Sequence, residues 1–208
     1  MSTRRHLLSL ALAVSVAAAG SAVAATPAAS TKAGKLAPQA GDMSLGSPKA
    51  KIQVVEYASL SCPHCARFNS DVFPAFKAKY VDTGQVRYTL REMLTPPAEV
   101  AAAGFMMARC AGPGKYFAVV DDVFRSQDKW DGDIKPVFLA IAKKNGMTEA
   151  QFESCLNSQA NQGAVNQRVK AAIDLGVSST PTFFINGKKY EGEQTLDKLD
   201  LAIAATGK

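Results

Sequence analysis

Two cysteines separated by two residues, Cys62-Pro63-His64-Cys65, stand where one periodicity stops and another starts. Before them, Ile52-Gln53-Val54-Val55-Glu56-Tyr57-Ala58 is β-branched and largely apolar, as a strand covered on both faces must be. After them, Phe68, Val72, Phe73, Phe76 and Tyr80 recur on one helical face, with Pro74 expected to kink that helix. The pair is thus expected at a turn from buried strand to helix. A lone Cys-x-x-Cys is equally half of a zinc site, but Cys110 and Cys155 stand singly, so the other half is missing.

The rest of the chain fits around that unit. Gln85 to Leu90 alternates as a strand, with Val86, Tyr88 and Leu90 on one face. Beyond Thr95-Pro96-Pro97 the pattern predicts helices near 97–110, 115–127, 134–144, 148–157 and 160–175, and Thr148 with Gln151 is a candidate capping box. Thr182 to Ile185 and Lys188 to Glu191 flank Asn186-Gly187, a strong hairpin signal, and a last helix runs from Leu196 to Ala204. A βαβ passage needs roughly 30 residues or somewhat more. Because 116 positions separate Cys65 from Pro181, the excess is an insertion. The expected class is α/β, a thioredoxin fold with an inserted all-helical domain: 42–95 and 176–208 for the first, 96–175 for the second.

Ahead of this lies a leader. Arg4 and Arg5, the apolar stretch Leu7 to Ala19 and the small residues Ala22-Val23-Ala24 predict a signal peptide over 1–24, cleaved after Ala24. An uncleaved anchor is the alternative, although the stretch falls short of the ~20 strongly apolar residues that span a bilayer. Thr3-Arg4-Arg5-His6-Leu7-Leu8 also resembles a twin-arginine signal, so two export routes stay open, and both leave the cytoplasm. Residues 25–41, rich in Pro, Ala, Gly and Thr, are expected to be a disordered linker.

Removing the leader lowers the formal charge from +6 to +4, spread without a basic block, and argues against a nucleic-acid partner. It also removes His6. His64 is then the only imidazole, which excludes a multi-histidine zinc site and a separate Ser-His-Asp triad. Neither a metal nor a cofactor is implied.

At the head of a helix, the Cys62 thiolate would meet unpaired N–H groups and the positive end of the dipole, so its pKa should fall. His64 adds to this if its ring or backbone N–H points at the sulfur, and Pro63 suits the first helical position because its missing N–H is an orphan there anyway. Cys65, a turn inside, is placed as a resolving thiol. A fall from ~8.5 to roughly 5 would favour the reduced form by ~2.7 kcal/mol at pH 7, about 60 mV towards a more oxidising disulfide.

The segments EYASLSCPHCARF and TPTFFING, with the long helical insertion between them, resemble the DsbA family of bacterial thiol:disulfide oxidoreductases over about residues 42–205. The resemblance implies that Cys62 is the nucleophile, that Cys65 resolves the mixed disulfide, and that Pro181 is a cis-proline facing them, with Thr180 pairing with substrate backbone. An ordinary trans turn is the competing expectation for Pro181. Glu56 matches a buried acid of the family that relays a proton for the resolving thiol; strand alternation turning it to solvent is the other reading. Some members carry a second disulfide in the helical domain, which Cys110 and Cys155 would supply here. Two separate buried cysteines are the alternative.

The activity implied is donation of disulfides to unfolded exported proteins in the periplasm by a monomer, reoxidised by a membrane quinone-linked partner. A disulfide isomerase or reductase is the first alternative; a carrier holding a soft metal ion on two thiolates is the second. Trp130 is weighed between a substrate surface and a hydrophobic plug. Phe105, Met106 and Met107 are expected in the core of the insertion.

Overall fold

The computed structural model describes residues 36–206. The predicted signal peptide, its cleavage site and residues 25–35 of the expected linker lie outside the described residues. Strands β1 (Met43–Leu45), β2 (Ile52–Ala58), β3 (Val86–Glu92), β4 (Thr182–Ile185) and β5 (Lys188–Tyr190) form one sheet in the order β1-β3-β2-β4-β5. Only the β2–β3 pair is parallel, as the helical crossover between them requires.

Being central, β2 is buried on both faces, which is why its sequence is a run rather than an alternation. Val54 and Ala58 belong to the large core on one side. Val55 and Tyr57 face the other side, where Ala172, Val177 and Phe184 cover them. Asn186 and Gly187 both take positive φ, 46° and 78°, so the β4–β5 turn is of the type that the Asn-Gly pair favours.

The crossover is α1 (Pro63–Arg67), a π-helical stretch Phe68–Val72, α2 (Phe73–Phe76) and a second π-helical stretch Lys77–Val81. The break expected at Pro74 takes this form: the proline falls in the first turn of α2, where its missing N–H goes unmissed. Helices α3 (Ala98–Cys110), α4 (Tyr116–Arg125), α5 (Lys135–Lys144), α6 (Glu149–Leu156) and α7 (Gln159–Asp174) fill the gap between β3 and β4, and α8 (Leu196–Ala205) closes the chain. The capping box at Thr148 and Gln151 is complete, each side chain bonding the other's backbone N–H. Phe105, Met106 and Met107 are buried. Trp130 is half-buried, packed edge-on against Phe138 and donating to the Ser126 hydroxyl.

Three features differ from the sequence reading. β1 pairs antiparallel with β3 at the sheet edge, where three residues are too few to show a period. The end of the expected linker is packed: Leu36 lies against the smaller core, and the carbonyls of Ala37 and Gly41 accept from Arg91 and Arg109. Low hydrophobicity pointed to disorder there, but backbone acceptors facing the guanidinium groups of Arg91 and Arg109 supply the missing contacts. Finally, Pro96–Pro97 is cis as well as Thr180–Pro181.

Candidate active site

The turn that carries Cys62 is pinned from both sides. After β2, the Ser59 and Ser61 hydroxyls bond each other at 3.1 Å; Ser61 donates to the Thr95 carbonyl at 2.7 Å, and the Thr95 N–H donates to Ser59 at 3.0 Å. From the helical block, Gln127 Nε2 donates to the carbonyls of Leu60 at 2.8 Å and Cys62 at 3.3 Å. Cys62 is the extended N-cap residue of α1, and Pro63 follows at the start of the helix. Neither Thr95 nor Gln127 was singled out in the sequence, because nothing in their neighbourhoods signals a contact made across more than thirty positions.

Both thiols of the pair are free in this structure. Cys62 is 6% exposed and Cys65 is fully buried. The Cys62 pKa is lowered from 9.0 to about 5. The largest cause is the Cys65 thiol donating to the Cys62 sulfur; burial opposes it, and Thr180 together with the backbone N–H groups of Cys65 and His64 adds to it. The expected helix-start N–H groups therefore contribute but do not lead. His64 acts through its backbone alone: its exposed ring Nδ1 accepts from Arg67 Nη2 at 2.6 Å, so the ring is turned to its own helix and not to the sulfur. The same burial drives the Cys65 thiol far above the ordinary range, reinforced by its donation to Cys62 and by the charge of Glu56.

Thr180 arrives from the far end of the chain through the cis bond to Pro181, which begins the approach to β4. Protonated Cys62 donates to its carbonyl at 3.4 Å. The Thr180 hydroxyl is buried without a partner at ordinary hydrogen-bond geometry, and it lies within reach of the same sulfur, whose ionised form it favours.

Glu56 is 2% exposed, on the β2 face that carries Val54 and Ala58, so the solvent-facing alternative is excluded. Tyr88 on β3 donates to its Oε2 at 2.5 Å. Burial raises the carboxyl pKa from 4.5 to about 8 against the pull of that hydrogen bond, with a further push from the charge of Cys62. Cys110 and Cys155 are joined in a disulfide between the end of α3 and α6, with Cα atoms 6.2 Å apart.

Such an arrangement can hold a thiolate in the outer position of the pair, keep its partner protonated, and offer a neutral carboxylic acid beside that partner at pH 7. A thioredoxin family description matches residues 39–205. A Rickettsia typhi protein bearing the protein-disulfide oxidoreductase name is 34% identical over 172 residues, covering 78% of this chain and 60% of that relative. The chain thus spans about three fifths of the length of that relative. The thiol:disulfide interchange protein DsbA of Haemophilus influenzae is 32% identical over 149 residues, covering 65% of this chain and 66% of that protein. The crystal structure of Wolbachia pipientis α-DsbA1 superposes with a TM-score of 0.75 at 31% identity, covering 82% of this chain and 92% of that one. With Cys62, Cys65 and the cis Thr180–Pro181 bond grouped at one end of the sheet, and with these matches over most of its length, the chain belongs to the thioredoxin family, among its DsbA-like members.

Proposed function

We propose that this protein is a thiol:disulfide oxidoreductase that donates the Cys62–Cys65 disulfide to unfolded proteins exported to the periplasm, and that a membrane quinone-linked partner reoxidises it. The observation that carries this reading is the asymmetry of the pair: Cys62 caps the start of α1 against the cis Thr180–Pro181 segment, which with its lowered pKa suits a thiolate, whereas Cys65 is fully buried and held protonated. A disulfide whose reduced form is so stabilised is readily given away.

In the oxidised protein, a substrate thiolate attacks Cys62 Sγ, the less deeply buried sulfur of the pair. A bond forms between the substrate sulfur and Cys62, the Cys62–Cys65 bond breaks, and Cys65 departs as a thiolate. Glu56, mostly neutral below its pKa of about 8, supplies the proton that this buried sulfur needs. A second substrate thiolate then attacks the first substrate sulfur and expels Cys62, a good leaving group because its pKa is low. Thr180, beside the sulfur, offers its backbone to an extended peptide. The Cys110–Cys155 disulfide, in the helical block, serves stability.

Equilibrating the pair against glutathione buffers of graded composition tests the proposal. The expected result is a couple more oxidising than glutathione by tens of millivolts. A couple as reducing as thioredoxin's would assign the chain to reduction instead.

A further inference from the structure

The partner of Glu56 is itself unusual for a buried carboxyl: a tyrosine and not a cation. In the β2–β3 register Glu56 stands opposite Leu90, which makes Tyr88 its diagonal neighbour on the same face of the sheet. The phenol ring is held by its own packing. It lies 4.6 Å from Phe73, 6.3 Å from Phe76 and 6.2 Å from Phe117, centroid to centroid. With the ring so confined and 2% exposed, the hydroxyl has one direction to point, at Oε2 of Glu56.

We propose that Tyr88 is a positioning residue for proton transfer at Cys65: its hydroxyl fixes the Glu56 carboxyl beside the thiols and favours the carboxylate over the acid. The inference rests on the reading of Glu56 as the proton relay. The groups facing Glu56 are Tyr88 from β3 and the Cys62 and Cys65 thiols from α1, while the Tyr116 phenol of α4 stands behind Tyr88. Of these, Tyr88 is the one that pulls the carboxyl towards ionisation, because a donated hydrogen bond is strongest to the charged form. Burial alone would keep Glu56 protonated at pH 7, ready to give a proton but scarcely present as the carboxylate that takes one. The tyrosine moderates that, so that one carboxyl can both give a proton to Cys65 and take it back.

The step that reads this is resolution of a mixed disulfide between Cys62 and a small thiol. The Cys65–Cys62 bond forms, the bond from Cys62 to the departing sulfur breaks, the Cys65 proton passes to the Glu56 carboxylate, and the departing thiolate takes a proton from water. In the unaltered protein the rate of thiol release against pH should inflect with the Glu56 carboxyl, somewhat below 8 because Cys62 carries no charge in the mixed disulfide. Tyr88→Phe keeps the ring and its packing; the inflection is expected to rise by about one unit, with release about tenfold slower at pH 7. Difluorotyrosine at position 88, a stronger donor, should move it the other way. The Cys62 thiolate absorbance should still titrate near 5 in both, because Glu56 is already neutral there. A merely structural tyrosine would alter stability and leave the inflection in place, and that result, with Glu56→Gln abolishing the inflection, overturns the proposal while sparing the relay. A profile unchanged in Glu56→Gln removes the relay, and the role of Tyr88 falls with it.

Discussion

Cys62 and Glu56 pull stability in opposite directions as pH changes. The folded pKa of Cys62 lies below its ordinary value, so its contribution to the reduced protein is complete above pH 9, shrinks as pH falls and is gone near 5. At pH 7 this lowering corresponds to about 2.7 kcal/mol. Glu56 is raised, so its cost is absent below pH 4.5, grows between 4.5 and 8, and is complete above 8. In the reduced form, Glu56→Gln should therefore become relatively more stable as pH rises, the difference from the unaltered protein growing by about 3 kcal/mol between pH 4.5 and 7. Urea denaturation at the two pH values measures it, and a difference independent of pH would contradict the raised carboxyl. The amide's own unsatisfied N–H groups cost something at both pH values and cancel from that comparison.

At the scale of elements, the turn between β2 and α1 is held less by its own sequence than by two visitors, the Thr95 loop and Gln127. Gln127→Ala removes the donor to the Leu60 and Cys62 carbonyls. A stability loss of about 1 kcal/mol is expected, with the Cys62 titration rising by less than one unit. Equilibrium unfolding with an unchanged slope checks the first, and full retention of stability would show the contact to be idle. The elements themselves were legible wherever a period ran long enough. β2 and the five helices of the insertion fall within a few residues of their sequence bounds, because burial on both faces or on one stripe writes itself into residue type. β1, three residues long and defined by pairing to β3, carries no such signature. The ring of His64 illustrates another gap: side-chain direction depends on a neighbour, here Arg67, that the motif does not include.

Over the whole molecule, the sheet and the helical block share one core and are fastened by charges as well as by apolar packing. Glu92 at the end of β3 is buried between Arg109 of α3 and Arg168 of α7, and Arg91 beside it holds Asp42, the residue before β1. No local pattern announces such a cluster, since its members are 17 and 76 positions apart. The cysteines were legible because their chemistry is tied to residue type, whereas the cis bond at Pro181 and the burial of Glu56 were expected from the family resemblance. What the fold adds is convergence. The sulfur of Cys62 meets Thr180 across 118 positions of sequence and Cys65 across three, and its ionisation reports whether the chain has brought them together. Titrating the ultraviolet absorbance of the thiolate in the reduced, full-length protein is the most direct test. A midpoint near 5 is the expected result. A midpoint above about 7.5, close to that of an unassisted thiol, would contradict the assignment of Cys62 as a stabilised thiolate.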